Sequence, residues 1–89
     1  MAHDPFDSFA DNPTAPAQNC FVIVPDDAAE LLSVTKAIYV GTEGDITLRA
    51  AGDTSPVTFR NVPAGFILDV RASAVHATGT TAADIVGMA

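Results

Sequence analysis

The sequence is short of basic residues. Four lysines and arginines stand against eleven aspartates and glutamates, for a formal charge of −7 over 89 residues. Nucleic-acid binding through phosphates needs a basic surface, and this chain has none to offer. Anionic membranes are disfavoured by the same sign, whereas docking against a basic protein surface is favoured. Cysteine occurs once, so Cys20 has no intrachain disulfide partner, and with no Cys/His cluster a structural zinc is not expected. Cys20 reads as a buried free thiol. Tryptophan is absent and Tyr39 is the single tyrosine, which argues against a stacked-aromatic carbohydrate platform. No apolar run approaches the ~20 residues of a membrane helix. The first residues show neither the cationic nor the apolar region of a signal peptide, so synthesis in the cytoplasm is expected.

Apolar residues, rich in Val, Ile and Ala, make up 48% of the chain. This is globular composition. One domain is expected, and at this size it buries only about 60–65% of its unfolded surface. Without disulfide or metal, oligomerisation is the remaining source of support.

Residues 1–19 differ from the rest. They carry Pro5, Pro13 and Pro16, several aspartates, and no sustained period. They read as an extended docking arm, with Phe6 and Phe9 as the side chains that would gain most from burial on a neighbouring surface. Residues 20–89 read as a single all-β domain, a small antiparallel barrel or sandwich. Cys20-Phe-Val-Ile-Val24 is a continuous apolar run, expected as a buried strand. Asp27 and Glu30 are spaced as a capping box, which predicts a short helical turn over 27–32. Strands are expected over 35–41, 45–50, 57–60, 66–74 and 82–88, separated by turn chemistry. Val62-Pro-Ala-Gly65 fits a type I turn.

Three strands end in arginine: Arg49, Arg60 and Arg71 are spaced eleven apart. A meander that sets Leu48 opposite Phe59, and Phe59 opposite Leu68, keeps apolar residues together. It sends Arg60 to the opposite end from Arg49 and Arg71, so the three do not form an anion-gripping row. Asp69 and Asp45 are the expected partners of Arg60. Arg49, Arg60, Asp69 and Arg71, with Phe6 and Phe9, are therefore the candidate interface residues.

Chemistry-bearing motifs are scarce. There is no G-x-S-x-G elbow, no calcium loop and no phosphate loop. His76 with Asp84 and a hydroxyl could be imagined as a hydrolase. Alternation instead continues the core face of Phe66–Ala74 through His76. No catalytic, cofactor-binding or metal-binding residue is assigned. A free-standing module that binds carbohydrate or protein is the alternative reading, since Thr-rich strands can add to a partner's sheet edge.

Larger motifs point further. TKAIYVGTEGDITLRAAG at 35–52 contains K-A-I-Y-V-G-T-x-G-D. VTFRNVPAGFILDVRASAVHATGTTAADIVGM at 57–88 contains the N-V-P-A-G turn and A-T-G-T-T-A. With the DPF near the N-terminus and FVIVPDDAAEL, the chain resembles the spike base proteins of gene transfer agents and related tailed phages. The resemblance implies a structural, non-enzymatic virion protein at capsid vertices, a homopentameric head spike base. Its implied partners are itself, the capsid protein and a spike fibre that attaches to the host. It implies no cofactor, nucleic acid or membrane.

Overall fold

The computed structural model describes residues 16–89. Seven strands form two antiparallel sheets: β1 (Cys20–Ile23), β2 (Ala37–Thr42), β3 (Gly44–Ala50), β4 (Val57–Val62), β5 (Phe66–Leu68), β6 (Ala72–His76) and β7 (Ala83–Met88). Sheet A has the order β1-β7-β2-β5 and sheet B the order β4-β3-β6. The architecture is a sandwich without a closed barrel. Its core is aliphatic. Ile38, Val40 and Ile85 come from sheet A, and Ile46, Leu48 and Val75 from sheet B, each no more than 1% exposed. Burial of such a side chain contributes about 1.5–3 kcal/mol.

The expected helical turn at 27–32 is absent; the segment has no helical residue. Asp26, not Asp27, receives the local amide bonds, from Ala28 N–H at 2.8 Å and Ala29 N–H at 3.2 Å. The chain then runs as a strap along β6. Asp26 N–H donates to Val75 O, Leu31 N–H to Ser73 O and Thr35 N–H to Ala72 O. These bonds to the neighbouring strand displace the helical ones, and the strap covers an edge that would otherwise be open to pairing.

The meander registers also need correction. Leu48 pairs with Val57 and Ile46 with Phe59, two residues from the expected alignment. A two-residue slip leaves every side chain on its face, so the alternation could not detect it. The strand expected over 66–74 is two strands in different sheets. β5 pairs with β2, placing Ile38 opposite Leu68, and β6 pairs with β3; β4 has no register with β5. Between them Val70 N–H turns back onto Leu68 O at 2.9 Å, a γ-turn spacing. The turn before β5 is displaced by one residue. Phe66 N–H donates to Pro63 O, and Gly65 stands third with φ 76°, as a type II turn requires.

Two bulges re-aim side chains. In β4, Ile46 pairs with Phe59 but Gly44 with Val62, so one extra residue fits between. Asn61 takes up that residue at φ 57°, a left-handed conformation that Asn tolerates better than most residues. Val62 is thereby turned into the core at 4% exposure. In β6, Arg49 pairs with Ala74 and Ala50 with Ala72, leaving Ser73 as the extra residue. Ala72 and Val75 thus share the core face, and His76 is turned out of it, opposite Thr47. His76 does not continue the core face, as alternation alone had suggested.

Cys20 is exposed rather than buried. In β1 the side chains of Phe21 and Ile23 face the core, while Cys20 and Val22 face outward.

Candidate functional site

The A-T-G-T-T-A segment, 77–82, is where the polar chemistry of the described residues converges. Thr80 inserts its hydroxyl into the β3–β6 ladder, accepting Thr47 N–H at 2.9 Å and donating to His76 O at 2.6 Å. Gly79 lies over Thr47: a Cβ there would collide with the Thr47 hydroxyl. Thr47 is 7% exposed and shares a hydroxyl–hydroxyl bond of 2.8 Å with Thr58 on β4. Thr81 accepts Asp45 N–H at 2.8 Å, and the amides of Thr81 and Ala82 both donate to Asp45 O. Thr80 and Thr81 therefore close backbone hydrogen bonds that the short strands leave open.

Thr78 binds the strap. Its amide donates to Asp27 Oδ1 at 2.9 Å and its hydroxyl to Asp27 Oδ2 at 2.6 Å. His76 Nδ1 lies 3.6 Å from the same Oδ1, an ion pair whenever the imidazole is protonated. The Thr78 hydroxyl bond, followed by the Thr78 amide bond, holds the Asp27 carboxyl below its ordinary pKa of 3.8. Beside this pair a surface hollow of about 130 Å³ is lined by Asp27, Glu30, Arg49, Ala74 and His76. Arg49 bridges it, pairing with Glu30 of the strap and donating from Nε to Ser73 Oγ at 3.2 Å. Ser73 Oγ in turn donates to Arg49 O. Asp84, the acid of the imagined hydrolase, accepts the Thr42 hydroxyl at 2.7 Å in sheet A. The hollow is thus a latch between strap and sheet, with its charged groups engaged with one another.

The remaining candidates are scattered. Arg60 pairs with Asp45 at 3.4 Å near the start of β3, and Asp45 Oδ1 accepts Asn61 N–H at 2.9 Å. Asp69 and Arg71 are exposed in the crossing from β5 to β6. Arg71 O accepts Ala51 N–H, at the opposite end of β3 from Arg60. The arginines therefore do not form a row. Phe6 and Phe9 lie outside the described residues. No group of three or more His, Cys, Asp or Glu able to hold a metal ion exists among the described residues.

The sequence candidates missed an apolar surface feature. On the outer face of sheet A the registers set Val22 beside Val86, Val86 beside Tyr39 and Tyr39 beside Ile67. The adjacent row is Cys20, Met88 and Ala37. Val22 is 76% exposed and Ile67 54%. The signal was present in runs such as CFVIV and IVGM, which are apolar at consecutive positions. They imply burial on both faces, and the structure described so far buries one.

The fold is that of a small antiparallel β-sandwich whose described polar clusters hold its own loops and whose sheet A carries an apolar outer face left partly exposed by the described residues. The chain superposes on one in a solved structure of the capsid of a native GTA particle computed with C5 symmetry, with a TM-score of 0.84 and 38% sequence identity, covering 98% of this chain and 100% of that one. It belongs to this family of capsid-associated proteins of gene transfer agents (GTAs). No protein-family model matches the sequence, and no curated protein does.

Proposed function

We propose that this chain is a structural, non-catalytic virion protein that forms the homopentameric base of a head spike at capsid vertices. In this reading residues 1–19 bind the capsid protein, and the ring anchors a spike or fibre for attachment to the host. The observation that carries it is the end-to-end match, at 38% identity, to a capsid chain in a structure computed with C5 symmetry. Five-fold symmetry is what a capsid vertex requires of a closed ring. The motifs K-A-I-Y-V-G-T, N-V-P-A-G and A-T-G-T-T-A add to it, since they fall on β2, on the turn into β5 and on the loop that closes sheet B. The acidic charge of −7 suits docking on a basic surface.

Imaging of particles from cells with and without this protein tests the reading. Density for the protein is expected at the five-fold vertices and missing, together with the spike, when the protein is absent. Particles with unchanged vertices would overturn it.

A further inference from the structure

We propose that Lys36 is a positioning residue for the docking arm, its ammonium group fixing the direction in which residues 1–15 leave the domain; this rests on the arm reading above and names the side chain that orients the arm.

The root of the arm is tied to the ends of β2 and β7. Gln18 N–H and Asn19 N–H donate to Ala89 O at 2.8 and 2.7 Å, and Ala89 N–H returns a bond to Asn19 O at 2.7 Å. Lys36, one residue before β2, donates its own amide to Met88 O at 2.6 Å. That bond fixes the lysine backbone beside the end of β7. From there the side chain reaches the root, and Nζ donates to Pro16 O at 3.2 Å.

These bonds act differently on the arm. Those at Gln18 and Asn19 are backbone bonds that hold the chain next to β7 whichever way it continues. The bond at Pro16 sets the way it continues. The ring of proline holds φ near −65°, and the peptide bond before it is planar. With the Pro16 carbonyl anchored, ψ of Pro16 is the one soft torsion left between the domain and residue 15. A hydrogen bond from a charged donor is also stronger than a neutral one.

Charge adds to this. Residues 1–15 contain Asp4, Asp7 and Asp11 and neither lysine nor arginine, which leaves −4 of the chain's −7 on residues 16–89. Arm and domain therefore repel each other. At physiological salt such repulsion reaches only about 8 Å, so it acts at the root. Lys36 is the single lysine of the chain, and it stands there. Arg49 and Arg60 are paired with Glu30 and Asp45. Arg71 lies in the crossing from β5 to β6 with Asp69 two residues away, so that crossing adds no net charge. Lys36 is the cation placed to offset the repulsion where the arm begins.

The test uses the full chain carrying Ala10→Cys, with spin labels there and on the native Cys20, which is exposed beside the root. With Lys36 present, one narrow distribution of label distances is expected. Lys36→Met keeps the stem and the backbone bond and removes the ammonium; it should broaden the distribution at least two-fold, and Lys36→Arg should restore it. Attachment to particles, scored on unlabelled protein without Ala10→Cys, should fall about three- to five-fold in Lys36→Met and recover in Lys36→Arg, with thermal unfolding unchanged in both. An unaltered distribution in Lys36→Met, or an arginine variant that behaves like the methionine one, overturns the assignment. So does a lowered unfolding temperature in Lys36→Met, which would make Lys36 a support of the domain and not of the arm. Removal of residues 1–15 separates the two readings. If the truncated protein fails to attach while Lys36→Met attaches like the wild type, this inference falls and the docking arm stands. If the truncated protein attaches normally, the docking arm falls, and the label distances alone decide whether Lys36 orients the segment.

Discussion

The hydroxyl of Thr35 accepts the amide of Ala72 at 3.0 Å, and through this bond the chain's crossing between sheets is secured. The same hydroxyl donates to Val70 O at 2.9 Å, and Thr35 N–H donates to Ala72 O. One fully buried threonine thus satisfies three backbone groups where β5 ends and β6 begins. No ladder is available there, because the chain is leaving one sheet for the other.

Thr35→Val keeps the shape and removes the hydroxyl, leaving a buried amide and a carbonyl unpaired. A loss of about 1–3 kcal/mol is expected, read as a lower urea midpoint with unchanged slope. Thr35→Ser retains the donor and acceptor and should lose distinctly less. Equal losses for the two variants would contradict the assigned role of the hydroxyl.

Most of the strands were legible in the sequence, because each keeps a core face: Ile46 and Leu48, Ile38 and Val40, Ile85 and Gly87. Their assignment to two sheets was not. Leu68 and Ala72 face the core from different sheets, yet the alternation passes between them unbroken. Both sheets enclose the same core, so a sheet switch leaves the inward pattern intact. The bulges at Asn61 and Ser73 were hidden for the opposite reason. Each reverses the alternation by one place, and only pairing partners reveal it. The latch was hidden as well. Asp27 has the spacing of a helix cap, and nothing local announces that Thr78, fifty-one residues on, takes its carboxylate instead. The outer face of sheet A is visible as CFVIV, but an apolar run does not tell burial of one face from burial of two.

The bulge in β4 gives a prediction with an internal control. Asn61 sits at φ 57°, where a β-branched side chain is strained by roughly 1–2 kcal/mol. Asn61→Val is expected to lower stability by about that amount, while Asn61→Gly should be close to neutral. Both keep the amide that Asp45 accepts. Thermal unfolding of the three proteins side by side checks this, and a valine variant as stable as the glycine one would refute it.

The latch predicts a pH dependence with a definite sign. Thr78 holds the Asp27 carboxyl below 3.8 in the folded protein. A carboxylate with a depressed folded pKa contributes stability above its unfolded pKa, and that contribution is lost as pH falls through the folded value. The strap should therefore loosen below pH 3.8, not between pH 5 and 7. Following the Asp27 carboxyl by NMR should give a midpoint under 3.8 in the wild type and a higher one in Thr78→Val. Slower amide exchange across 26–31 at pH 5 than at pH 3, after correction for intrinsic rates, should accompany it. An Asp27 midpoint unmoved by Thr78→Val would show that the hydroxyl does not hold the carboxylate.

The proposed docking arm can be separated from the domain because their supports differ. Gln18 and Asn19 donate their amides to Ala89 O, and Ala89 returns a bond to Asn19 O, so these residues are tied to the end of β7. A deletion should therefore stop at residue 15. It removes Phe6 and Phe9 and leaves the aliphatic core and both sheets in place. Unchanged thermal unfolding is expected, because the seven strands lie within residues 20–88 and the core side chains within 23–85. Attachment to particles should fall at least ten-fold, and Phe6→Ala with Phe9→Ala in the full chain should reproduce much of that loss. Burial of two phenyl rings contributes about 1.5–3 kcal/mol each, enough for such an effect. A truncated protein that attaches normally would remove the arm from the proposed capsid contact and leave the folded domain to make it.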